Sequence, residues 1–198
     1  MSHMTSFKDV RGGARWLARD RSGARVTGDG ADLGQFSAVQ LLKLHAKIAE
    51  ALRARGITRT SNNPTGDLAE YLFCKAFGWK QADNSKANID AIDAVGRAYK
   101  IKGRRVTRHN NSRQLSAIRD LVGGHFDFLA GVIVSEDFSV LRAAIIPPDV
   151  VRTRAKFVER TNSHKFLLRE DVWDASGVRD VTDQLRAASR SMAALADD

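Results

Sequence analysis

Apolar residues in 36–55 (FSAVQLLKLHAKIAEALRAR) recur at helical spacing, with Val39, Leu42, Leu44, Ile48 and Leu52 forming a stripe and Gly56 at the stop position. A second helix is predicted over 61–79: turn and cap residues (SNNPTG) precede a face of Leu68, Leu72, Ala76 and Phe77, and Gly78 ends it. The period then changes. NIDAIDA (88–94) and RAYKIKGRR (97–105) flank Val95-Gly96 and read as a hairpin. Residues 106–120 begin as a loop and turn helical, with Asn111 or Ser112 as N-cap. Two apolar, β-branched runs, 126–134 and 138–146, read as a hairpin of buried strands closed by Pro147-Pro148. A helix is predicted over PDVVRTRAKFVER (148–160), a short strand or irregular piece over 164–170, and a C-terminal helix over 179–196. This order predicts an α/β fold: a mixed central β-sheet flanked by helices.

The chain of 198 residues, 43% hydrophobic and 28% charged, suits one packed domain. No apolar run approaches the roughly 20 residues that span a bilayer, so no membrane role is expected. Lys and Arg number 32 against 23 Asp and Glu, a net charge of +9 that suits a polyanionic partner. Lys8, Arg11, Arg15, Arg19, Arg21 and Arg25 lie among glycines, so residues 1–34 read as a flexible basic arm ahead of one domain over 35–198. Its opening Met-Ser-His-Met resembles a cloning remnant. The lone Cys74, within YLFCKAF, reads as a structural thiol, and His45 as a packed or hydrogen-bonded helix residue. An apolar leader is lacking, so the expected location is cytoplasmic.

The candidate chemistry lies in Glu70 on the second helix, Asp90 on the first hairpin strand and Lys102 on the second. Carboxylates can hold a hard divalent cation that neutralises a phosphodiester and acidifies bound water, and a neighbouring lysine can orient that water or stabilise developing charge. Strand alternation puts Lys100 and Lys102 on one face and Tyr99 and Ile101 on the other. Asp93 competes with Asp90 but lies nearer the turn, where aspartate serves local hydrogen bonds.

GDLAEYL followed by NIDAIDAVGRAYKIKGRR resembles the PD-(D/E)XK nuclease superfamily, over roughly residues 64–146. The resemblance implies a restriction-endonuclease-like αβββαβ core. It places Glu70 as the helix acid, Asp90 as the strand aspartate and Lys102 as the catalytic lysine. Asp90, Glu70 and the Ile101 carbonyl become ligands of Mg²⁺, with Mn²⁺ able to substitute. Lys100 departs from the pattern, which has Glu or Gln there. A cation about 4 Å from a divalent ion is repelled by about 8 kcal/mol at an effective dielectric of 20. Three arrangements are compatible: Lys100 swings away, its ammonium replaces a second metal, or the site is inactive.

Arg104, Arg105, Arg108 and Arg113 follow the motif lysine and are candidate grips for flanking DNA phosphates. Asn110, Asn111 and Gln114 suit base edges or a helix cap, and Asn84, Ser85 and Lys86 are placed to line the same cleft. Asp171, Trp173 and Asp174 read as packing and surface groups. The expected function is a Mg²⁺-dependent DNA endonuclease, in restriction or genome defence. Cutting both strands with one small site implies a homodimer on duplex DNA, with the basic arm and the C-terminal helix as candidate dimer elements. The alternative is a catalytically inactive nucleic-acid-binding protein on the same scaffold, favoured by Lys100.

Overall fold

In a computed structural model, the structure describes residues 33–82 and 89–193. The expected arm (except for its last residues), together with Asn84, Ser85 and Lys86, lies outside them. Contacts divide the chain into two units, Met1–Glu50 and Ala51–Asp198. The division falls within the first helix.

Helix α1 (Ala38–Ala54) starts after Ser37, whose backbone N–H donates to Gln40 Oε1 at 2.8 Å, and it contains no buried residue. His45, expected to be packed or hydrogen-bonded, has an exposed side chain.

The second unit is mixed α/β. Helix α2 (Thr65–Phe77) precedes three strands, β1 (Lys80–Gln81), β2 (Ala91–Ile92) and β3 (Ala98–Arg105). Then come β4 (Phe128–Val134), β5 (Val140–Ile146), helix α3 (Pro148–Arg154), β6 (Lys156–Val158), β7 (Ser163–Lys165), β8 (Arg179–Asp180) and helix α4 (Thr182–Ala193). Six strands form one sheet in the order β1-β2-β3-β4-β5-β8, and β6-β7 form a second, two-stranded sheet. Only β3 and β4 pair in parallel; the other neighbours of the large sheet are antiparallel.

One face of the sheet presents Tyr99, Ile101, Ala130, Val132, Ala143 and Ile145 to α2 and α4. The other presents Leu129, Ile133, Ala144 and Ile146 to Leu115, Ile118, Leu121, Phe126, Val151, Phe166 and Leu168. Both apolar runs are buried almost throughout because the sheet is covered on both faces.

Helix α2 stops at Gly78, which takes φ 65° and donates its N–H to the Cys74 carbonyl. The hairpin turns through Gly96 at φ 87°, with Asp93 N–H to the Arg97 carbonyl at 3.0 Å. An aromatic stack runs from the helix into the sheet: Phe77 to Trp79 at 5.1 Å, Trp79 to Tyr99 at 3.7 Å and Tyr99 to Phe128 at 5.7 Å between ring centroids. It ties α2 to the start of β3.

Two predicted helices are corrected. Residues 106–120 form no helix. Their backbone instead pairs with β7 and the residues just after it: Leu115 N–H to the Phe166 carbonyl at 2.9 Å, and Ile118 with His164 in both directions at 3.0 and 2.8 Å. Buried Leu115, Ile118 and Leu121 close the second core in this extended form, so the β3-to-β4 crossover is a pinned loop. The helix starting at Pro148 ends at Arg154, and Lys156–Val158 become a strand paired with Ser163–Lys165. Phe157, aromatic, and Val158, β-branched, favour strand conformation by residue type.

Gly103 sets the separation of α2 from β3. A Cβ there would lie 2.7 Å from the Thr65 carbonyl oxygen and 2.9 Å from Ala69 Cβ. Gly103→Ala is therefore expected to push α2 outward and destabilise the fold by about 1–3 kcal/mol. Urea denaturation monitored by circular dichroism checks this; an unchanged midpoint contradicts the close approach.

Candidate active site at the β3 edge

Strand β2 pairs with β3 through Ala91↔Tyr99 and Ile92↔Ala98, whereas β3 continues to Arg105. Asp90, expected on the first strand, sits just before it. Its backbone N–H still donates to the Tyr99 carbonyl at 2.9 Å. Beyond this point the Asp90 side chain continues the pairing: its Oδ2 accepts the Ile101 N–H at 2.6 Å. The N–H and C=O of one strand residue face the same side, so the Ile101 carbonyl faces this edge too.

Asp90 Oδ1 accepts from Lys100 Nζ at 2.9 Å, in a pair whose side chains are only 12% and 16% exposed. Lys100 and Lys102 share the strand face opposite Tyr99 and Ile101, as alternation predicts. Burial lowers the proton affinity of Lys102 and the charge of Lys100 adds to this, while Asp90 and Glu70 oppose it. Lys102 therefore lies within electrostatic reach of both candidate acids.

Glu70 comes from α2. Its Oε2 accepts from Gln81 Nε2 at 2.9 Å and from Arg59 Nη2, and its side chain is 17% exposed. Burial raises its pKa first and the charge of Asp90 second, against the pull of Gln81 and Arg59. Arg59 is placed by Asp67, a buried acid in the first turn of α2. Asp67 Oδ2 accepts the N–H of Arg59 at 2.9 Å and both the N–H and hydroxyl of Thr60 at 2.8 and 3.0 Å. Arg59 Nη1 also donates to the Ala82 carbonyl at 3.4 Å, linking the loop before α2 to the end of β1.

Glu70 thus interacts electrostatically with Asp90, and Lys102 with both acids. Asp93 is engaged elsewhere. Its Oδ1 accepts the N–H groups of Val95 and Arg97 at 3.0 and 2.9 Å, and its Oδ2 accepts Arg97 Nε at 2.8 Å and the Tyr99 hydroxyl at 3.0 Å. Arg59, Gln81 and Lys100 complete the cluster. The sequence reading passed over Arg59 and Gln81; a polar residue three positions beyond the Gly78 stop was the available signal for Gln81.

The predicted DNA-gripping arginines divide. Arg104 shares the face of Lys102, with its Nε donating to the Ser112 carbonyl at 2.8 Å. Arg105 points to the other face, over the Phe138 ring at 4.6 Å. Arg108 lies 3.8 Å from Glu136, and Arg113 pairs with Glu170. Arg119 lines a cavity of about 390 Å³ with Phe157, Asn162 and His164. Cys74 is half-buried, and burial together with the Glu70 charge pushes its thiol up to about 11, away from nucleophilic use. Among the described residues, no three His, Cys, Asp or Glu side chains converge as a metal cluster.

Comparison with the models of known protein families and with curated proteins found no match. Among the described residues, no helix is long and apolar enough to cross a membrane.

Burial pushes the Asp93 carboxyl up, but the hydrogen bonds from Arg97, Tyr99 and Val95 outweigh it and bring it down to about 2. A carboxyl lowered on folding stabilises the hairpin above the ordinary aspartate value near 3.9, and that contribution is lost as pH falls through about 2. Carboxyl-carbon NMR titration is expected to give a midpoint near 2 for Asp93. A midpoint at or above the ordinary value contradicts the structural role.

Proposed function

We propose that this chain is a metal-dependent DNA endonuclease on a restriction-endonuclease-like scaffold. The observation that carries the reading is the electrostatic coupling of Glu70, Asp90 and Lys102, remote in sequence, with Asp90 held on the β3 backbone where β2 ends. The order α2-β1-β2-β3, then a crossover to parallel β4, supports the scaffold. The crossover departs from the αβββαβ pattern in carrying no helix.

The donor set fits one hard divalent ion. Magnesium commonly uses one or two carboxylates and completes its shell with water and substrate phosphate. Asp90 raises the pKa of Glu70, a repulsion between carboxylates that a shared dication relieves. Asp90, Glu70 and the Ile101 carbonyl would hold Mg²⁺, or Mn²⁺ in its place. When bound, the ion supplies charge neutralisation of the phosphate and a more acidic attacking water. The fit requires the Lys100 ammonium to leave Asp90.

Lys102 orients the attacking water and directs its N–H groups at the charge developing on the phosphate oxygens. Arg104, on the same face, grips a flanking phosphate, with Arg108 and Arg113 further along the backbone; Arg105, turned to the opposite face, takes no part. Breaking both strands takes two such sites, which a two-fold homodimer on duplex DNA supplies.

A second reading is favoured by one observation, the Lys100–Asp90 ion pair: the scaffold binds nucleic acid and has lost its metal. Incubation with supercoiled plasmid separates the two. The endonuclease reading expects nicked and linear products with Mg²⁺ or Mn²⁺ and none with EDTA. It expects Asp90→Ala to abolish cleavage and Lys102→Ala to slow it by about 10²–10³-fold. Intact plasmid at every metal concentration, with duplex still bound in EDTA, contradicts this reading and establishes the second.

A further inference from the structure

The same cluster carries an inference about how metal and DNA enter it, and this rests on the endonuclease reading. Two carboxylates, Glu70 and Asp90, face three cations, Arg59, Lys100 and Lys102. The site is therefore already positive before any metal arrives. Both oxygens of Asp90 are engaged, Oδ1 by the Lys100 ammonium and Oδ2 by the Ile101 N–H. The Lys100–Asp90 pair is largely buried, so solvent and salt do little to weaken it. A divalent cation approaching Asp90 meets an ammonium where it would bind.

The two contacts on Asp90 differ in kind. The Ile101 N–H belongs to the strand backbone and cannot leave without unpairing β3. The Lys100 ammonium is a point charge on a flexible four-carbon stem. It emerges on the face that also carries Lys102 and Arg104. A phosphate lying along that face offers Lys100 a second anionic partner and adds the negative charge that the cluster lacks.

We propose that Lys100 is a displaceable counter-ion: it occupies Asp90 in the free protein and transfers to a DNA phosphate when duplex binds, which frees Asp90 for the divalent cation. Metal and DNA then bind cooperatively, and each raises the affinity for the other by the same factor. The bare protein has little affinity for metal, so the hydrolytic centre assembles only on substrate. Lys100 is a positioning residue in this scheme.

The test measures Mn²⁺ binding to the full chain by isothermal titration calorimetry, with and without a short DNA duplex. The duplex alone is titrated as a control, and a gel establishes that it stays intact at low temperature. Wild type is expected to bind Mn²⁺ at least about tenfold more tightly with duplex present, within the usual range of coupling between sites. Lys100→Gln is expected to bind Mn²⁺ without DNA and to reduce the coupling factor to about threefold or less. Lys100→Arg, which keeps the charge, retains most of the coupling, and Asp90→Asn abolishes the duplex-dependent binding. Circular dichroism verifies folding of each variant; if Lys100→Gln does not fold, the wild-type comparison decides alone. Equal Mn²⁺ affinity with and without duplex, or wild-type coupling in Lys100→Gln, overturns the transfer and leaves the endonuclease reading standing. Wild type that binds no Mn²⁺ even with duplex overturns both.

Discussion

The Asp90 carboxylate is the point on which the arrangement depends. One oxygen replaces a missing strand partner by accepting the Ile101 N–H, and the other holds the Lys100 ammonium. The first contact fixes the carboxylate relative to β3, and the second compensates a charge that is largely removed from water. Where β2 stops and β3 continues, backbone groups on the β3 edge need partners. A side chain that fills this need is held in one position, which is what a ligand or an orienting group requires.

The scaffold brings Glu70 to the same place by a separate route. Gly103 lets α2 lie against β3, and the Phe77–Trp79–Tyr99 stack holds the helix end. Asp67, one turn before Glu70, gathers the backbone of Arg59 and Thr60, and Arg59 then reaches Glu70. The acid that organises the loop is thus distinct from the acid that faces the cluster. Both project from a helix whose other side supplies Leu68, Leu72 and Phe73 to the core.

Much of this was legible along the chain. The change from helical to alternating spacing located α2 and the hairpin, and alternation alone placed Lys100 and Lys102 on one face. The position of Asp93 beside the turn is legible too, and its carboxylate receives its hydrogen bonds from the turn itself and from Tyr99. Residues 106–120 were misread because their backbone partners lie at 164–168, a pairing between remote segments that local propensity does not register. Arg105 was grouped with Arg104 because they are adjacent, although strand alternation sends them to opposite faces. Arg59 was missed because its role depends on Asp67 holding its loop.

The most direct test of the central claim is a crystal of the full chain grown with a short DNA duplex and Mn²⁺, examined by anomalous diffraction. The account predicts a manganese peak in contact with both the Asp90 and Glu70 carboxylates, a DNA phosphate beside Lys102, and Lys100 turned from Asp90 toward that phosphate. A duplex bound with no manganese at these carboxylates and the Lys100–Asp90 pair intact would contradict it.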